Sequence, residues 1–121
     1  MTENEIARHI VDAAYRVHTV LGPGLLESVY ERALAHELET RGLRVRRQVP
    51  IPVIYDEILM EEGFRADLLV ELKSIEDLAP VHFKVVLTYL RLADKRLGLL
   101  INFNVCLIKE GIRRVVNRLP E

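Results

Sequence analysis

The spacing of the apolar residues changes period at Gly42, and that change restricts the chain to folds that mix helices with a sheet. Before Gly42, Ile6, Ile10, Ala13, Ala14, Val17 and Leu21 recur at helical spacing, as do Leu26, Val29, Tyr30, Ala33, Leu34 and Leu38. After it the period is two. Val45, Val49, Ile51, Val53 and Tyr55 form one apolar set, interleaved with Arg44, Arg46, Gln48, Pro50 and Pro52.

Local signals divide these stretches into elements. Thr2 and Glu5 have capping-box spacing and predict a helix over residues 3–20. Gly22-Pro23-Gly24 breaks it, because glycine tolerates left-handed backbone and proline lacks the ladder donor. A second helix is expected over residues 25–41, with Gly42 as its C′ residue. A strand with one buried face is expected over residues 45–55, at a sheet edge because of its prolines, followed by a turn at Asp56-Glu57. Pro80 suits the first turn of a third helix, carrying Val81, Val85, Leu87, Leu90 and Leu92. Leu97 to Phe103 reads as a buried strand, and residues 105–108 and 112–116 as a hairpin turned at Glu110-Gly111. The expected order is α-α-β-β-α-β-β-β, a mixed α/β sheet with helices packed on it. We read residues 1–121 as a single domain.

Residues 58–75 form the informative stretch. Ile58, Met60, Glu62, Phe64, Ala66, Leu68, Val70 and Leu72 alternate with a set that includes Glu61, Arg65, Asp67, Glu71 and Lys73. A typical strand has ~5–6 residues. This stretch therefore reads as one long strand, or as a hairpin with no obvious turn sequence. On either reading Asp67, Glu71 and Lys73 share a strand face. Two carboxylates and an ammonium so placed suit a hard divalent cation and a polarised water. A solvated strand face with scattered charges has the same spacing.

Composition sets the outer limits. The net charge of −1 predicts no nucleic-acid partner by itself, although a local basic stripe would suffice. Arg44, Arg46 and Arg47 form one small basic cluster; Arg91, Lys95, Arg96, Arg113, Arg114 and Arg118 add to it. Cys106 is the only cysteine, so no intramolecular disulfide and no Cys-based zinc site can form, which fits a reducing cytoplasm. Acids in the first five residues argue against a secretory leader, and no apolar run approaches the ~20 residues of a membrane span. Among the histidines, His18 lies beside the apolar face of helix one and reads as a hydrogen-bonded packing residue. His82, near the start of helix three, is a candidate for phosphate contact or a surface role.

Gly24-Leu-Leu-Glu27-Ser-Val-Tyr30 matches the GxxExxY signature, and its surroundings extend the match. Asp12 to His18, Leu21 to Gly24, Gly63 to Asp67, Glu71 to Ser74, Leu78 to His82, Leu87 to Leu92 and Leu97 to Phe103 are all similar to that group. The chain thus resembles the GxxExxY proteins of the PD-(D/E)XK nuclease-like superfamily. The resemblance implies a restriction-endonuclease-like mixed sheet flanked by helices, with a helical pair at the N-terminus. It implies Mg²⁺-dependent cleavage of nucleic-acid phosphodiesters, with Mn²⁺ as a substitute and DNA favoured over RNA. Asp67, Glu71 and Glu27 would bind the metal, Lys73 would support the nucleophile, and Tyr89 would match a tyrosine of a Gln-x-x-x-Tyr element.

Two departures from the pattern leave a second reading open. Val85 stands where that element has glutamine, and only Leu68, Leu69 and Val70 separate Asp67 from Glu71, where the pattern has a longer hairpin connection. On one extended strand, residues four apart lie ~13 Å apart at Cα. Carboxylate oxygens must reach ~2.1 Å from a shared Mg²⁺. A turn at residues 68–70 would close the gap, but three bulky apolar residues make a poor turn. Alternatively, two copies pairing antiparallel about Leu69 would set Asp67 of one chain opposite Glu71 of the other, as a strand-swapped homodimer. The competing class is a non-catalytic binding or self-assembly module that retains the fold.

Overall fold

The structure is a computed structural model that describes residues 1–49, 54–55, 58–59 and 68–119. Helix α1 spans Glu3–Leu21 and α2 spans Glu27–Thr40. Strands β1 (Ile54–Tyr55) and β2 (Ile58–Leu59) form a short antiparallel pair. Strand β3 (Leu69–Lys73), α3 (Pro80–Ala93) and β4 (Leu97–Asn102) form a parallel β-α-β unit. A 3-10 turn at Ile108–Glu110 precedes β5 (Ile112–Val116), which pairs antiparallel with β4.

The helix boundaries follow the expected chemistry. Thr2 Oγ accepts from the Glu5 N–H at 3.2 Å and starts α1. Gly22, at φ 72°, ends it one residue later than the periodicity predicts. At the end of α2 the Gly42 N–H donates to Glu39 O and the Leu43 N–H to Leu38 O. That is the Schellman pattern, with Gly42 at φ 82°.

Strand β4 is buried along its whole length, because both of its faces are covered. Leu97, Leu99, Ile101 and Phe103 pack with α1 and α2 around Ala13, Ala14, Val17, Tyr30 and Leu34. Leu100 packs on the other face with Val86 and Leu90 of α3 and Val115 of β5. Gly98 sits beneath that helix; a Cβ there would lie 3.1 Å from Val86 Cγ1 and 3.3 Å from Leu69 O. A sheet with helices on both faces gives strands that read as continuous apolar runs, as 97–103 does.

Three expectations fail. Of the strand expected over residues 45–55, residues 45–49 form no strand, Ile54–Tyr55 does as β1, and residues 50–53 lie outside the described residues. Gln48 has φ 53°, which interrupts extended backbone, and Arg47 and Gln48 donate instead to Glu31 on α2 at 2.9 and 2.6 Å. Nor do residues 105–108 form a strand of a hairpin. His18 Nε2 holds the Val105 carbonyl at 2.7 Å, and Ile108 is buried in the core against α1. Among the described residues, β5 pairs with β4 alone. The element order is accordingly α-α-β-β-β-α-β-β, with a further strand before α3 and one fewer after it.

Strands β1 and β2 pair with Tyr55 opposite Ile58. The turn expected at 56–57, and residues 60–67 of the long alternating stretch, lie outside the described residues. No turn forms at 68–70. Leu69 and Val70 are paired with Gly98 and Leu99 in the parallel ladder. Among the described residues no helix is long and apolar enough to cross a membrane.

Candidate active site

Strand β3 positions the Glu-x-Lys pair. Its even residues, Val70 and Leu72, and Leu68 just before it pack against the core beneath α1 and α2. Leu69 packs on the α3 side. Period two therefore sends Glu71 and Lys73 to the side of Leu69. The register agrees, because Glu71 lies beside Leu100, which also packs under α3. The two side chains are neighbours: Lys73 Nζ lies 3.9 Å from Glu71 Oε1, and each is about 30% exposed (28% and 30%).

Glu27, exposed, is the first residue of α2, in the helical layer on the other face of the sheet. Burial pushes the Glu71 carboxyl above its ordinary value, the Lys73 ammonium pulls it partly back, and the Glu27 carboxylate raises it further. The Glu27 carboxylate thus adds negative charge within electrostatic reach of Glu71, the weakest of the three influences on it.

The start of α2, which carries Glu27, is fixed by identifiable contacts. Tyr30 is fully buried and stacks on Phe103, with ring centroids 4.4 Å apart and planes 6° from parallel. Its hydroxyl donates to Gly22 O at 2.6 Å and accepts from the Leu25 N–H at 3.0 Å. The loop between α1 and α2 is closed over this one side chain. Ser74 Oγ donates to Leu25 O at 2.6 Å and joins the same loop to the end of β3. Beyond Ser74, the buried Asn102 amide accepts from the Ile75 N–H at 3.1 Å and donates to Ile75 O at 2.9 Å.

The other chosen residues are placed as follows. Asp67 lies outside the described residues. Tyr89 is half-buried on α3, and Val85, one turn before it, is exposed. His18 is the packing histidine expected. His82 Nδ1 accepts from the Ala79 N–H at 2.8 Å and so caps its own helix. Several basic residues are held in ion pairs: Arg47 with Glu31, Arg96 with Glu3 and Arg118 with Asp94. A separate cleft near the sheet end is lined by Glu76, Asp77, Phe83, Asn102, Glu110 and Arg113, and does not include Glu71 or Lys73.

Sequence reasoning assigned no role to Tyr30, Ser74 or Asn102. Tyr30 stands in the Gly24–Tyr30 motif and on the apolar face of its helix, Ser74 closes the Glu71–Ser74 match, and Asn102 is a polar residue in an otherwise apolar strand; those were their signals.

The donor set fits a hard cation as an open site. Mg²⁺ prefers oxygen ligands and usually takes one or two carboxylates, leaving positions for water and phosphate. Glu71, beside Lys73 on β3, and Glu27, at the start of α2, are the carboxylates that would hold such an ion. Among the described residues no group of three or more His, Cys, Asp or Glu side chains is placed to hold a metal.

Among the described residues, the three-stranded mixed sheet between helical layers, with Glu-x-Lys on β3, is consistent with a restriction-endonuclease-like α/β fold. The model of the PD-(D/E)XK nuclease superfamily matches residues 4–115, and the chain belongs to that superfamily. No curated protein and no solved structure matches the chain.

Proposed function

We propose that this protein is a metal-dependent nucleic-acid phosphodiesterase of the GxxExxY group, formed by a single domain over residues 1–121. The observation that carries the reading is the pairing of Glu71 and Lys73 on β3, with Glu27 in electrostatic reach, in a chain of a nuclease superfamily.

Glu71, Glu27 and Asp67 are the proposed ligands of Mg²⁺, with Mn²⁺ as a substitute. A bound divalent ion would supply Lewis acidity at the phosphoryl oxygen and lower the pKa of a water. Lys73, an ammonium 3.9 Å from the Glu71 carboxylate, orients the attacking water and offsets charge developing on the phosphate. Tyr89 is proposed as a substrate-side contact from α3. DNA is the proposed substrate, and a reducing cytoplasm suits the single, exposed Cys106.

The test is metal-dependent nicking of plasmid and single-stranded DNA by material of known oligomeric mass. Cleavage that needs Mg²⁺ or Mn²⁺ and disappears in Asp67→Ala and Lys73→Ala is expected. Equal cleavage by both variants sinks the assignment. Absence of cleavage and of metal binding in every oligomeric state leaves the non-catalytic binding module.

One observation favours a two-chain form of the site. Among the described residues, β3 is paired on one edge only, and the strand runs on through 69–70 where a turn would be needed. A second copy pairing antiparallel about Leu69 would bring one chain's Asp67 opposite the other's Glu71, at the ~5 Å spacing of antiparallel neighbours.

A further inference from the structure

The start of α2 is held in an uncommon way. Helices usually begin with Ser, Thr, Asp or Asn at the N-cap, whose side chain accepts a backbone N–H. Here the N-cap is Leu26, which makes no side-chain capping bond and points largely into solvent. The backbone is fixed one residue earlier. Both polar main-chain groups of Leu25 are taken by side chains, the N–H by Tyr30 at 3.0 Å and the carbonyl by Ser74 at 2.6 Å.

The two bonds differ in kind. Tyr30 is a local closure, five residues from Leu25 and buried in the core. Ser74 is remote, 49 residues away in sequence. It follows Lys73 directly, and Leu25 precedes Glu27 by two. One hydroxyl thus ties the backbone just before Glu27 to the backbone just after the Glu71–Lys73 pair. The α1–α2 contacts and the core cluster exist without it.

We propose that Ser74 is a positioning residue, whose hydroxyl, acting through the Leu25 carbonyl, fixes the start of α2, and with it Glu27, to the end of β3 that carries Glu71 and Lys73, so that the two carboxylates can engage one divalent cation. The inference rests on the metal-site reading above and adds to it a residue that touches neither metal nor substrate. A cation site tolerates only ~0.5 Å of error in its ligands. Losing the tie lets the α2 start drift relative to β3, while the helices stay packed.

The experiment is Mn²⁺ binding followed by calorimetry and by the EPR signal of free Mn²⁺, on the full chain, beside thermal unfolding in the absence of metal. Ser74→Ala is expected to weaken Mn²⁺ binding on the order of 10–100-fold, as for other residues that orient a ligand, with a nearly unchanged unfolding midpoint. Ser74→Thr, which keeps the hydroxyl, is expected to restore the affinity. Glu71→Gln reports on the underlying reading. If Glu71→Gln weakens binding and Ser74→Ala does not, the positioning role is overturned and the site stands. If wild type binds no Mn²⁺, or Glu71→Gln binds as well as wild type, the site itself is wrong and the proposal goes with it. A Ser74→Ala protein that unfolds early, or a Ser74→Thr protein that stays weak, overturns positioning in favour of a purely structural role.

Discussion

Glu71 has the most legible environment of any ionisable residue in the chain. Its carboxyl is raised by burial first, with Lys73 opposing and Glu27 adding. A carboxyl whose folded-state pKa lies above its unfolded value binds its proton more tightly when folded. Its contribution favours the fold below the unfolded pKa and is lost as pH rises through the folded pKa. Glu71→Gln is therefore expected to unfold at a higher temperature than wild type at neutral pH without metal, and the gap should close as pH falls below the carboxylate range. Melting curves over pH 3–8 check this; a gap that widens in acid contradicts it. The same substitution is expected to abolish cleavage, so stability and activity should move in opposite directions. Tyr30 gives a second residue-scale expectation. Tyr30→Phe keeps the stacking on Phe103 but leaves the Leu25 N–H and Gly22 carbonyl without their partner, at a cost of about 1–3 kcal/mol in denaturant unfolding.

Among the elements, the β4–β5 connection is the most tightly specified. Gly111 donates to Ile108 O and its carbonyl accepts from the Asn102 N–H, both at 2.8 Å. A Cβ at Gly111 would fall 2.0 Å from Asn102 O, a backbone atom that cannot step aside. Gly111→Ala should cost upward of about 3 kcal/mol, among the largest effects of a single methyl group. A variant with wild-type stability would mean the connection can be redrawn. Asn102 works at the same junction: its amide pins Ile75, and so the exit of β3, to the end of β4. Position 111 was legible as a turn residue. What it turns was not, because the apolar run Val105 to Ile108 is equally compatible with a strand and with a loop tied down by His18 and Ile108.

At the scale of the molecule, three layers account for both the stability and the openness of the site. The core beneath α1 and α2 and the smaller one beneath α3 meet at β4, which gives the fold its rigid centre. Strand β3 lies to one side of that centre, so its charged residues stay partly solvated. If cleavage needs a strand-paired dimer, activity per chain should rise with protein concentration in step with the dimer fraction seen by analytical ultracentrifugation. Full activity in a stable monomer would end the two-chain form of the proposal.

Local chemistry, read from the sequence alone, determined the helices and their caps at Thr2, Gly22 and Gly42, the buried strand 97–103 and the face shared by Glu71 and Lys73. Those features depend on period, propensity and turn residues within a few positions of one another. Tertiary structure alone decided that 43–49 follows α2 instead of entering a sheet, that β5 pairs with β4, and that Ser74 and Tyr30 meet at Leu25. Each of these depends on a partner many residues away, and a periodic pattern records which face a residue takes without recording what lies against it.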